Sequence, residues 1–73
     1  MTIYHPYATA VDSSGNEQKL MCYDGLNSMD MCINQFDIWE QYGYKIKTAC
    51  VQIIESGKGV QNIYFENKWV QIQ

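Results

Sequence analysis

The sequence has no arginine, one histidine and one proline among its 73 residues. Arginine is the usual bidentate reader of guanine and phosphate, so its absence disfavours a nucleic-acid reader. A single histidine excludes a histidine-based metal cluster within one chain. Eight acidic residues outnumber the five lysines and give a net charge of −3, which disfavours general attraction to phosphate backbones and anionic lipid.

Long apolar runs are also missing. No segment approaches the roughly 18 apolar residues of a membrane-spanning helix, and the opening stretch MTIYHPYATAV lacks the basic start of a signal peptide. The three cysteines have no CxxC spacing, which favours reduced thiols over a disulfide framework or a zinc site. We therefore expect a cytoplasmic protein that uses no membrane and no cofactor.

The composition is that of a folded protein. With 47% hydrophobic, 14% aromatic and 18% charged residues, the chain is too apolar for a disordered segment. Its length is close to the lower limit for one independent hydrophobic core. We therefore interpret residues 1–73 as a single small domain.

Two extended segments are predicted near the start of the chain. Residues 2–11 are rich in β-branched and aromatic types, residues 17–23 form a second extended run, and DSSGN between them predicts the turn of a hairpin. Pro6 has no N–H and cannot donate to a ladder. The first strand is therefore expected to be an edge strand, to be bulged at Pro6, or to begin after it.

A helix is predicted within residues 27–43. Asn27 or Ser28 can cap its start, and Gly43 can end it. Asp30 then lies in the first turn, where a negative charge suits the helix dipole.

The remainder of the chain predicts three strands. They correspond to the segments YKIKTACVQII, VQNIYF and KWVQI, with turns at ESGKG and at Glu66 and Asn67. Consecutive strands with short turns favour a meander. The sequence thus predicts an α+β fold of order ββαβββ, in which one helix packs across one face of an antiparallel sheet and the other face is open.

The predicted helix carries two apolar lines. A turn of about 100° per residue gathers the residues of the first line on the side that faces the sheet. This core stripe consists of Met29, Cys32, Ile33, Phe36 and Trp39. Asp30 and Asp37 lie on the opposed, solvated flank.

Met31, Ile38 and Tyr42 form the second line, roughly 80–100° from the edge of the core stripe. Two interpretations remain open. The end of the sheet or the N-terminal segment, with Tyr4 and Tyr7, could fold over this line and bury it. Alternatively, the line contacts another chain, since methionine and aromatic residues are enriched at interfaces.

The aromatic content adds a second candidate surface. Six tyrosines and two tryptophans are many for one small core, and tyrosine is common at recognition surfaces. On the last strands, alternation places Tyr64 and Trp69 opposite Ile63 and Phe65. One of these two sets must therefore face away from the helix. If it is Tyr64 and Trp69, the open face of the sheet carries an aromatic patch, which is either an interface or a group of scattered surface aromatics.

No catalytic motif is present. His5, Cys22 and Cys50 could share a metal site or form a cysteine–histidine pair only if the fold brought them together. The segment 56–59, SGKG, lacks the spacing of a phosphate-binding loop and favours a turn. We therefore expect a protein that is not an enzyme.

The sequence favours a non-catalytic protein–protein interaction module that contacts a protein partner or its own copy. One version is an inhibitor from a phage or mobile element that covers a basic site on a host protein with its carboxylates. A homodimeric accessory protein is the first alternative. A single-stranded nucleic-acid-binding protein, using Tyr64 and Trp69 on the sheet, is the second and is disfavoured by the charge.

Overall fold

One helix lies across one face of an antiparallel sheet in the computed structural model, which describes residues 1–66, 70 and 71. The elements in chain order are β1 (Thr2–Val11), β2 (Glu17–Met21), α1 (Met29–Gln41), β3 (Lys45–Glu55), β4 (Gly59–Glu66) and β5 (Val70–Gln71). This order confirms the predicted ββαβββ arrangement and α+β class.

The strands are arranged in the order β2-β1-β3-β4-β5, and every neighbouring pair is antiparallel. The central ladder joins β1 to β3, from Thr2 opposite Glu55 to Val11 opposite Lys45. The register shifts after Thr9, so that Lys47 is an extra residue on β3 and forms a bulge. The last three strands form the predicted meander.

The turn between β1 and β2 is organised by the Asp12 carboxylate. Its Oδ1 accepts hydrogen bonds from the backbone N–H groups of Ser14 and Asn16, both at 2.9 Å, and its Oδ2 accepts one from Gln18 at 3.1 Å. The Asn16 N–H and then the Gln18 amide stabilise the ionised carboxylate and lower the pKa of Asp12. The predicted turn at DSSGN is therefore confirmed, although β2 ends at Met21, two residues earlier than predicted.

Pro6 lies inside a strand that has neighbours on both sides, so the expectation of an edge strand, a bulge at Pro6 or a later start is wrong. A proline is tolerated at this position because β2 ends nearby. Tyr4 exchanges backbone hydrogen bonds with Leu26, at 2.9 and 2.7 Å, and the Cys22 N–H donates to the Pro6 carbonyl at 3.3 Å. The proline nitrogen faces the gap between these two contacts, so no ladder bond is lost there.

Both ends of α1 are capped as predicted. The Ser28 Oγ accepts a hydrogen bond from the Met31 N–H at 3.2 Å. At the other end Gly43 has a φ of +100° and donates to the Glu40 carbonyl at 3.0 Å. The Tyr44 N–H donates to the Trp39 carbonyl at 3.2 Å, which completes a Schellman motif.

The core lies between α1 and the three strands β1, β3 and β4. Its buried side chains form one cluster of Ala8, Cys32, Phe36, Ala49, Val51 and Phe65. Phe36 meets Phe65 edge to face at 6.0 Å between ring centroids, a favoured aromatic geometry. Met29, Ile33 and Trp39 pack around this cluster, so the predicted core stripe of the helix is confirmed.

Replacement of Gly25 tests the packing of the loop that follows β2. Gly25 has a φ of +72°, and an added Cβ would lie 2.5 Å from the Ile3 Cγ2 and 3.2 Å from the His5 Cε1. We expect Gly25→Ala to lower the free energy of unfolding by about 2–4 kcal/mol, because overpacking adds to the cost of the left-handed backbone. Urea unfolding followed by circular dichroism measures this change.

Gly15→Ala is the matched control. Gly15 has a φ of +85° with nothing within 4 Å of an added Cβ, so this variant is expected to lose only about 1 kcal/mol. Equal losses for the two variants would contradict the close packing of Gly25.

Candidate interaction surfaces

The second apolar line of α1 is largely exposed. Met31 is 44% exposed and Tyr42 is 78% exposed, whereas Ile38 is half-buried. Tyr4 packs against the core, and Tyr7 lies on the far face of the sheet, where its hydroxyl donates to the Gln52 Oε1 at 3.4 Å. The N-terminal segment therefore leaves Met31 and Tyr42 exposed, and that part of the first interpretation is wrong. The end of the sheet, its other part, extends beyond the described residues.

The capping motif fixes the position of Tyr42. Its N–H donates to the Ile38 and Trp39 carbonyls, both at 3.1 Å, and the chain then turns at Gly43. The backbone of Tyr42 is thus held by the helix although its side chain extends into solvent. A large aromatic side chain on a fixed backbone loses little entropy when it binds.

The carboxylates of α1 lie beside this apolar line. Asp30 is exposed, Asp37 and Glu40 are half-buried, and the helix contains no lysine. We call the surface formed by Asp30, Met31, Asp37, Ile38 and Tyr42 the helix outer face. It combines two carboxylates with exposed apolar area.

The described lysines lie on the sheet and its turns rather than on the helix. Lys19 and Lys45 pair in register with Thr9 and Val11 of β1. Lys47 contacts Glu17 at 3.8 Å, and Lys58 contacts Glu55 at 3.7 Å. Within the described residues the helix therefore carries carboxylates without lysines, whereas the sheet and its turns carry both signs of charge.

The sheet face that points away from α1 has two apolar rows. Cross-strand pairing places four side chains in the first row and three in the second. The first row is Met21, Tyr7, Cys50 and Tyr64, and the second is Ile3, Ile54 and Val60. His5, Gln52 and Asn62 form a polar row between them. We call these three rows the open sheet face.

Tyr64 belongs to the set that faces away from the helix and lies on the open sheet face, with 54% of its surface exposed, while Ile63 and Phe65 point to the core. Trp69, its predicted companion, is outside the described residues. Three members of the first row were not identified from the sequence, namely Tyr7, Met21 and Cys50. Alternation along each strand shows which residues share a face, but the row emerges only once the register between strands is known.

The surroundings of His5 bear on the metal site and the cysteine–histidine pair considered from the sequence. The His5 Nδ1 lies 3.4 Å from the Cys22 carbonyl oxygen. Within residues 1–66, 70 and 71 there is no group of three or more side chains that could hold a metal ion. The segment SGKG forms the β3–β4 turn, as predicted, with the Lys58 N–H donating to the Glu55 carbonyl at 3.0 Å.

Comparison with models of protein families, with curated proteins and with solved structures finds no match to this chain. Among the described residues no helix has the length and apolar character needed to cross a membrane.

The three cysteines are expected to differ in reactivity. All are free thiols, and burial together with the nearby Cys22 raises the pKa of Cys32 to about 11. Burial also raises the pKa of Cys50. We expect iodoacetamide at about pH 8 to modify Cys22 first and to leave Cys32 unmodified, because the thiolate is the nucleophile and Cys32 is inaccessible.

Mass spectrometry of timed samples measures the three rates, and the same reaction in denaturing urea is the control in which the differences disappear.

Because the pKa of Cys32 is raised in the folded state, its contribution to stability is complete below pH 9 and is lost as the pH rises towards about 11. Modification of Cys32 in the folded protein as fast as Cys22 would contradict the tight packing of α1.

Proposed function

We propose that this protein is a non-catalytic protein-binding module that contacts a basic surface of its partner through the helix outer face. One observation carries the proposal. The exposed side chains of Met31 and Tyr42 lie on the same helix as the exposed Asp30 carboxylate, and that helix has no lysine. Free cysteines favour a reducing compartment, so we propose that the module acts in the cytoplasm.

The apolar side chains supply the affinity in this proposal. Tyr42 and Met31 belong to the residue types that are enriched at interfaces, and their exposed area becomes buried when a partner binds. Ile38 lies between them along the helix and extends the apolar contact. Tyr42 is the expected hot spot because its backbone is already held by the capping motif.

The carboxylates supply orientation and speed of association. Because the described lysines lie on the sheet and its turns, they do not neutralise Asp30, and a basic partner is attracted to the helix layer. An inhibitor, encoded by a phage or mobile element, that covers the basic nucleic-acid site of a host protein is one form of this function. It is supported by the net charge of −3.

Substitution of Tyr42 tests the proposal. The tagged full-length protein is used to capture partners, which are identified by mass spectrometry and then purified for a direct binding assay. We expect Tyr42→Ser to weaken binding of the partner at least tenfold, since hot-spot tyrosines contribute about 2 kcal/mol or more. Asp30→Asn is expected to slow association and to reduce its dependence on salt.

Tyr23 provides the matched control because it is 85% exposed but lies in the loop after β2, whereas Tyr42 is 78% exposed on the helix. Tyr23→Ser is expected to leave binding unchanged. If both tyrosine variants bind as the wild type does, the helix outer face is not the binding surface.

Binding of single-stranded nucleic acid is a second candidate, favoured by one observation. Tyr7 and Tyr64 share a row on the open sheet face, and Lys19 and Lys45 lie at one end of the same side of the sheet. Aromatic side chains near lysines can stack successive bases. The net charge of −3 opposes this function.

Fluorescence anisotropy with a labelled oligothymidine separates the two candidates. A protein-binding module is expected to show no binding at physiological salt. Binding that weakens as salt is raised, and that Tyr64→Ala reduces at least fivefold, would instead support the nucleic-acid candidate, since stacking contributes about 1–3 kcal/mol per base. Tyr42→Ser, on the opposite layer, is the control for that outcome.

A further inference from the structure

The outward edge of β2 is unpaired. β2 is the first strand in the sheet order, and among residues 1–66, 70 and 71 it packs against no element other than β1. The other residues of the sequence adjoin β4 and β5, which lie about 14 Å or more from β2 at about 4.8 Å per strand. Three residues extend at most about 11 Å, so none of these stretches reaches the β2 edge. Such an edge can accept a further strand.

The β1–β2 ladder shows which backbone groups of β2 point outward. The Cys22 N–H donates to the Pro6 carbonyl at 3.3 Å, in continuation of the β1–β2 register. In an antiparallel ladder, residues that turn their backbone groups to the neighbouring strand alternate with residues that turn them away. The N–H and C=O groups of Glu17, Lys19 and Met21 therefore point away from β1.

Two opposite charges lie along this edge. Glu17 and Lys19 are two residues apart, so their side chains point to the same side of the sheet, and both are exposed. A lysine on an edge discourages pairing with another strand, but an opposite charge directly across from it is favourable. The charges of the β2 edge are therefore complementary to a second copy of the same edge, with Glu17 of one copy opposite Lys19 of the other.

We propose that β2 of a second copy of this chain pairs with β2 in antiparallel orientation, about a two-fold axis at Gln18. In this register Glu17 lies opposite the Lys19 of the second copy, and Lys19 lies opposite its Glu17. Each pair joins opposite charges and exchanges two backbone hydrogen bonds, because both residues turn their backbone groups outward. The sheets of the two copies then form one continuous antiparallel sheet.

Charge selects this register over its neighbours. A two-fold axis at Glu17 would place two carboxylates opposite each other, and an axis at Lys19 would place two ammonium groups opposite each other. An axis at Leu20 would pair Lys19 with Met21 and leave Glu17 without an opposite charge across from it. Among the positions of β2, only an axis at Gln18 gives two pairs of opposite charge.

The ends of the ladder fit this register. Met21 lies opposite the Gly15 of the second copy, which has no side chain, and nothing lies within 4 Å of a Cβ added there. Beyond Gly15 the second copy turns back towards its own β1, at the turn in which the Gly15 N–H donates to the Asp12 carbonyl at 3.0 Å. The loop that follows Cys22 therefore meets no strand of the second copy.

This dimer leaves the helix outer face accessible. Among the described strands α1 packs on β1 and β3, and a two-fold axis perpendicular to the sheet keeps both helices on the same side. The ladder is short, so self-association depends on protein concentration and the dimer is not obligate. The inference rests on the β2 edge and is independent of the proposed partner of the helix outer face.

Charge reversal on β2 tests the two-fold register. Lys19→Glu brings two carboxylates opposite each other at both pairs, and Glu17→Lys brings two ammonium groups opposite each other there. We expect each variant to raise the dissociation constant of the dimer at least tenfold in sedimentation equilibrium, because two attractive pairs become repulsive. An equimolar mixture of the two variants is expected to associate more tightly than either variant alone.

The double variant Glu17→Lys, Lys19→Glu exchanges the two charges and restores both pairs. It is expected to dimerise with a dissociation constant within about threefold of the wild-type value, although each single change weakens the dimer. Failure of the double variant to recover the dimer would contradict the Gln18 register and overturn the proposal.

Lys58→Glu is the matched control, because it makes the same change in net charge as Lys19→Glu but lies in the β3–β4 turn. It is expected to leave self-association unchanged, and circular dichroism confirms that each variant is folded. A wild type that remains monomeric up to about millimolar concentration, or a Lys19→Glu dimer of unchanged affinity, would overturn the proposal. Equal weakening by Lys58→Glu and Lys19→Glu would assign the effect to net charge and would also overturn it.

Tyr42→Ser keeps this test separate from the proposed function. It is expected to weaken binding of the partner and to leave the dimer intact, whereas Lys19→Glu is expected to do the reverse.

Discussion

The packing of Phe36 against the sheet is the contact on which the two layers depend. Its side chain is fully buried, meets Phe65 edge to face at 6.0 Å and lies 5.9 Å from Trp39 between ring centroids. Ala8 and Ala49 belong to the same cluster, and their small size leaves room for the ring between the helix and the two central strands. Because Phe36 occupies this position, the rotation of α1 about its own axis is set. The side on which each other residue of the helix lies follows from that rotation.

The local elements could be predicted because their signals are short-range. Ser28 and Gly43 have the hydrogen-bonding group and the backbone freedom that helix ends need, and Asp12 has the carboxylate that a turn needs. The core stripe followed from helical periodicity alone. The same periodicity left Met31 and Tyr42 without a place in the core, and both side chains are exposed.

The remaining features depend on contacts between distant segments, which one sequence does not specify. The environment of Pro6 is decided by where β2 ends and where Leu26 returns to the sheet, not by the proline itself. The apolar row that contains Tyr7 and Cys50 exists only in the observed register of β1 against β3. A shift of one residue would send these side chains to the core.

The central ladder also constrains the order of folding. β1 is made first, yet its partner β3 lies far along the chain, so that Thr2 pairs with Glu55 only after the intervening hairpin and helix have been synthesised. Contacts of this range close slowly, because the entropy of a long loop is lost before the ladder is gained. Until then α1 lacks one of the two central strands on which it packs, and the newly made chain exposes part of the surface that later becomes its core.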